Sequence, residues 1–182
     1  MRLLRNLAIV LSGAAALAGL QATTPYFDDA FSPFVTRARS AELAHGRLFD
    51  ARFTEWRLAG HVGVTINGAP TLRGTDGVFL IAGIELSDVR QTLPISAVWL
   101  GSSGRRYAAS ARFQGSDFAL ETRNFNPHVP NAARILFELP RDEVVGGQLV
   151  LAVRGSSILD SELHLAPPPG KLVQQAFYEV GG

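Results

Sequence analysis

After Gly46 the chain breaks into segments of strand length, rich in β-branched and aromatic residues and divided by Gly, Pro, Asn and Asp. No window beyond that point sustains the 3.6-residue apolar period of an amphipathic helix. Seven or eight such segments with no crossover helix between them predict an all-β antiparallel sandwich, not a parallel βαβ sheet. Hydrophobic residues make up 47% of the 182-residue chain. That supplies the apolar surface a packed core needs and excludes a disordered body.

The segments carry their own detail. In residues 47–58 the apolar positions run Phe49, Ala51, Phe53 and then Trp56, Leu58. This one-residue change of phase predicts a bulge, or two strands meeting at a bend. Residues 61–66 form a short strand closed by the turn signal Asn67-Gly68. Residues 77–86 (GVFLIAGIEL) are apolar on both faces, as in a central strand covered on both sides.

Residues 95–100 and 105–109 form a hairpin around Gly101-Ser102-Ser103-Gly104. In 134–139, Ile135, Phe137 and Leu139 share one face, with Arg134 and Glu138 opposite. Residues 148–153 lie between glycines. In 159–165, Leu163 and Leu165 point inward and Asp160, Glu162 and His164 outward. Trp99 and Phe137 are the expected large core residues.

The N-terminus is written differently. Arg2 and Arg5 precede an apolar run from Leu7 to Leu20, the layout of an export signal. Counted from Leu3, or out to Tyr26 and Phe27, the run reaches a spanning length of about twenty residues. Residues 1–22 are read as a signal anchor or a signal peptide. Ala22 suits the position before a cleavage site but Leu20 is a poor third residue, which favours the uncleaved anchor. With Arg2 and Arg5 before the run and Asp28 and Asp29 after it, the positive-inside bias keeps the N-terminus cytoplasmic. The expected location is the cell membrane, single-pass, with an extracytoplasmic domain. Residues 23–45 are expected to be a juxtamembrane linker and 46–166 the sandwich. Residues 167–182 are a Pro-rich tail, mobile or loosely docked through Phe177 and Tyr178.

Several of these pieces, taken in order, resemble a known family: the basic-hydrophobic N-terminus, the apolar strand 77–86, and the hairpin Trp99-Leu100-Gly101-Ser102-Ser103-Gly104-Arg105-Arg106-Tyr107. The Pro-containing loop 126–130 follows, leading into Ile135-Leu136-Phe137-Glu138-Leu139-Pro140. This order resembles the telokin-like, immunoglobulin-sandwich family of exported bacterial proteins, a domain of unknown function. The resemblance spans residues 46–166. It implies an immunoglobulin-like fold and an envelope compartment, and it carries no catalytic residues over. The chain departs from lipoprotein members in lacking an anchoring cysteine.

The composition argues against chemistry. With no cysteine, disulfides, thiolate nucleophiles and Cys-ligated zinc are excluded. The net charge is +1, from 17 basic and 16 acidic residues, with the arginines scattered singly. Such a balance offers no attraction for a phosphate backbone, so nucleic acid is not an expected partner. His45, His61, His128 and His164 have no metal-ligand spacing. Gly101 to Gly104 joins two strands and lacks the following helix of a phosphate cradle. No nucleophile elbow, phosphate loop or dinucleotide pattern occurs. Neither an enzyme nor a cofactor nor a bound metal is expected.

Binding is what remains. The expected role is a non-catalytic protein-interaction module or accessory subunit of a membrane or envelope complex. The candidate contacts are Tyr26, Phe27, Phe31 and Phe34 in the linker, and Phe118, Phe125 and His128 in the loop 114–133. The competing reading of Phe118 and Phe125 is that they cap the sandwich end. The alternative role is a cell-envelope glycan or small-ligand binding domain, with Trp56 as its candidate aromatic platform; a tryptophan at such a bend is more often a core residue.

Overall fold

The computed structural model describes residues 2–24, 32–155, 160–170 and 172–179. It divides into two units, Met1–Ser32 and Pro33–Gly182. The first contains helix α1 (Arg2–Thr23), whose 22 residues reach about 33 Å at 1.5 Å per residue. That length and its apolar composition suffice to cross a hydrocarbon layer of about 30 Å. They equally fit a signal sequence.

The second unit begins with β1 (Phe34–Ala38), β2 (Ala44–His45), β3 (Asp50–Ile66), β4 (Ala69–Ser87), β5 (Leu93–Leu100) and β6 (Arg106–Ala108). Two 3₁₀ turns, Ala111–Phe113 and Leu120–Thr122, lead to β7 (Asn124–Phe125) and β8 (Asn131–Leu139). A further 3₁₀ turn, Arg141–Glu143, precedes β9 (Gln148–Val153), β10 (Ser161–Leu165) and β11 (Val173–Glu179). Sheet A runs β1-β10-β9-β5-β6, with β7 beside β5; sheet B runs β11-β3-β4-β8, with β2 beside β3.

Local signals explain the long hairpin of sheet B. Asn67 and Gly68 both take positive φ, 49° and 82°, as a two-residue type I′ turn requires. The strands pair from Ile66↔Ala69 to Asp50↔Ser87, with a register shift between Phe53 and Glu55. Thr54 is the extra residue. Before it Ala51 and Phe53 face the core; after it Leu58 does, with Trp56 half-buried against the same core. The phase change in the sequence is therefore a bulge. A second irregularity lies between Ala59 and His61.

The main core fills the space between the sheets. Trp99, Phe53 and Phe137 are fully buried. The Phe53 ring meets Trp99 edge-on at 6.3 Å between centroids, and Phe137 tilts against it at the same distance. The Trp99 indole N–H donates to the Glu143 carbonyl at 2.9 Å, so its polar atom is satisfied. Strand β4 is buried from Val78 to Ile84 because both its faces are covered. Outward, Phe79, Ile81 and Leu136 pack with Phe113 and Phe118 of the 3₁₀ loop and Tyr178 of β11.

The structure corrects the sequence reading at three places. The sandwich is not wholly antiparallel and has eleven strands among the described residues. Strand β1 lies in the stretch expected to be linker and pairs in parallel with β10. Strand β11 lies in the expected tail and pairs in parallel with β3; Tyr178 docks while Phe177 stays half-exposed. Parallel neighbours are joined by no hairpin, so no local turn announces them. Finally, Asp160 and His164 point away from the core yet are buried. Arg47 pairs with Asp160 at 3.0 Å, and the Glu162 carboxylate accepts from the His164 ring at 2.6 Å.

Candidate interaction cleft

The candidate contact residues are not brought together. Tyr26, Phe27 and Phe31 lie outside the described residues. Phe34 opens β1 and is 65% exposed at the edge of sheet A. Phe125 is fully buried in the main core and Phe118 is 4% exposed in the outer cluster. Both are corrections to the expected contact surface: an aromatic ring on a loop that crosses an apolar sheet face gains more by burial than by exposure. His128 is exposed, in a left-handed conformation with φ 61°. The Asn131 side-chain amide closes its loop by donating to the Asn126 and Val129 carbonyls at 2.8 and 2.9 Å.

What the loop does form is a wall. On the outer face of sheet B, beside the Thr54 bulge, lies a cleft of about 390 Å³. Its floor is made of small residues, Gly83, Ala132 and Ala133; Glu55 and Arg134 rise from the sheet, and Asp117, Phe118 and Arg123 come from the loop. A β-carbon at Gly83 would run into the Glu55 side chain and the Thr54 hydroxyl, so glycine there makes room for both. Across Glu85 and Ala132 the cleft continues into a second hollow of about 330 Å³, edged by Leu43, Arg52 and Pro130.

Glu55 is the electrostatic centre. Arg134 donates to one of its oxygens at 3.1 Å and Arg57 to the other at 3.2 Å. Burial pushes the Glu55 carboxyl up, but hydrogen bonds from Arg134 and Arg57, with their charges, outweigh it and leave the carboxyl below its ordinary value. Arg123 lies over the Phe125 ring at 5.3 Å and makes no ion pair among the described residues. Beside the cleft runs the outer edge of β8. Its far end is closed, since Ser110 N–H donates to the Leu136 carbonyl at 2.7 Å. By strand periodicity the backbone groups of Ala132 and Arg134 face the same way, and no described backbone group bonds them there.

Sequence reasoning missed Glu55, Gly83, Asp117, Arg123 and Arg134. The phase change at Thr54 was the available signal, since bulges re-aim side chains next to functional surfaces.

Other titratable groups serve the framework. The Glu143 carboxylate accepts from the Ser103 hydroxyl at 2.6 Å and its backbone N–H at 3.1 Å. These bonds hold its carboxyl below the ordinary range and pin the 101–104 loop. Arg106 reaches across sheet A to Glu162 at 3.1 Å. His45 and Asp50 meet at 2.7 Å where β2 joins β3. Among the described residues no three His, Cys, Asp or Glu side chains group as metal ligands would.

No protein-family model matches this chain, and neither does any curated protein. Two solved structures are similar. One is an uncharacterized β-sandwich protein from Clostridium difficile 630, 10% identical, covering 78% of this chain and 99% of its own at a TM-score of 0.46. Another is a conserved hypothetical protein from Bacillus anthracis, 12% identical, covering 67% and 93% at a TM-score of 0.45. Neither likeness bears on activity.

Proposed function

We propose that this chain is a non-catalytic interaction module: a β-sandwich tethered to the membrane by α1, displayed on the extracytoplasmic side, and engaging a protein subunit of a membrane or envelope complex. The observation that carries the reading is the charged cleft lying directly beside an open stretch of the β8 edge. An extended segment of a partner can add along Ala132–Arg134 through main-chain hydrogen bonds while its side chains enter the cleft. Arg123 and Arg134 supply donors for its acidic groups; Glu85 and Asp117 supply acceptors for its basic ones.

The tethered orientation rests on Arg2 and Arg5 preceding the apolar helix and Asp28 and Asp29 following it. The immunoglobulin-like reading is supported by strand order. Among the seven strands β3, β4, β5, β6, β8, β9 and β10, the first, second and fifth share one sheet. The seventh, sixth, third and fourth run in order across the other. With the strand end Ile135–Pro140, this order supports kinship with the telokin-like exported family.

The test uses the full-length tagged chain, crosslinked in its native membranes and purified in mild detergent. A stoichiometric companion is expected, and Ala132→Arg, at an exposed position on the cleft floor, is expected to lose it with the circular dichroism spectrum unchanged. A wild-type chain that emerges alone, or a companion retained by Ala132→Arg, overturns the reading.

A further inference from the structure

We propose that β11 is a self-association strand: two copies of this chain pair their β11 edges antiparallel about a two-fold axis at Gln175, joining two copies of sheet B into one continuous sheet. The surface is separate from the cleft, and the inference stands without it.

Strand β11 bonds β3 on one side only, and among the described residues no backbone group meets its other side. Exposed edges are ordinarily guarded by lysine, arginine, proline or a bulge, or kept very short. Two other edges follow that rule: β1 carries Arg37, and β6 is three residues long and carries Arg106. Strand β8 is closed at Phe137 by Ala109 and stays open only along the cleft stretch. Strand β11 has seven residues, VQQAFYE, with no proline, no basic residue and Glu179 as its single charge.

The strand also carries exposed apolar side chains on the face it shares with β3. Val173 and Phe177 are 44% and 47% exposed, and beyond β3 Leu72 of β4 is 61% exposed. Phe177 lies over Gly63, where a β-carbon would strike its ring. Together with Val64, Pro70 and Leu72 it lines a shallow hollow of about 280 Å³.

The occupant follows from self-complementarity. A two-fold axis pairs a strand with itself antiparallel, and opposite residues share a face. With the axis at Gln175, Val173 of one copy faces Phe177 of the other, and the apolar match occurs twice. Gln174 then faces Ala176, and the two Glu179 carboxylates lie at opposite ends of the pair. Moving the axis to Ala176 sets Gln175 against Phe177 and Val173 against Glu179, so both exposed apolar side chains of that face meet polar ones. A net charge of +1 leaves the copies no long-range repulsion to overcome.

The cysteine-free sequence makes the test clean. Paired residues in an antiparallel ladder have Cα atoms about 4.5–5.5 Å apart, within the span of about 4.4–6.8 Å that a disulfide bridges. Under mild oxidation of the full chain in detergent, Gln175→Cys is expected to link to itself roughly tenfold faster than Arg105→Cys, an exposed reference on the far hairpin. Val173→Cys and Phe177→Cys should link poorly alone and readily when mixed. Adding Phe177→Glu to Gln175→Cys should abolish the advantage. Self-linking of Gln175→Cys at the reference rate overturns the proposal. So does linking that survives Phe177→Glu, which would place the association elsewhere, for instance along α1.

Discussion

The two faces of sheet B are built from the same strands yet meet the burial problem in different ways. The inner face lies against sheet A, so Phe53, Leu80, Ile84 and Phe137 are covered by regular structure across its whole width. The outer face is a patchwork. At one end Phe79, Ile81 and Leu136 are covered by a 3₁₀ loop and by Tyr178; at the other, Glu55, Arg134 and Arg57 form ion pairs and leave a cleft open. A sheet with apolar residues on both sides therefore needs a second sheet on one face and only a lid over the apolar part of the other.

This contrast can be tested by removing comparable groups from each region. The largest loss is expected for Phe137→Ala on the inner face, about 3–5 kcal/mol of unfolding free energy in a urea titration, because two sheets cannot close around the gap. Phe118→Ala removes a ring that is also buried, 4% exposed, but a loop collapses onto a vacancy more easily than a sheet does. A loss of about 2–3 kcal/mol is expected there. Hydrogen exchange should quicken within residues 111–122 while the β9 amides keep their protection. Equal losses at the two sites, with exchange changed everywhere, would erase the distinction between framework and lid.

The smallest effect belongs to the charged end. Glu55→Gln is expected to cost under about 1 kcal/mol at neutral pH, as for other solvent-screened ion pairs, and less in high salt. The sign with pH follows from its lowered carboxyl. The contribution is complete above the ordinary value of 4.5, fades as pH falls through the folded-state value, and vanishes once both states are protonated. Denaturation curves of wild type and Glu55→Gln should therefore converge in acid. Divergence there would mean that Glu55 is not the anchor of Arg134 and Arg57.

Much of the frame was legible because its signals are local. Asn67-Gly68 demanded a hairpin, the shift from Phe53 to Trp56 located a bulge, and alternation placed Trp99 and Phe137 in the core. The apolar run 77–86 announced a strand covered twice. It did not say that the second cover was a loop, since Phe113 and Phe118 carry no mark of which surface they will meet. The cleft was hidden for a related reason. Glu55 and Arg134 are 79 positions apart, and each alone is an ordinary charge on an outward strand position.

The strands β1 and β11 show where local reading ends. Residues 34–38 and 173–179 have too little alternation and no hairpin turn, because their partners are the distant β10 and β3. By itself, the sequence determined a membrane-length apolar helix, a cysteine-free all-β body, its hairpins and its principal core residues. These depend on neighbours two to five positions apart. Only the tertiary structure decided which strands border the sheets, which aromatic rings are buried and where a cleft opens, because those outcomes depend on pairings across the whole chain that no short window contains.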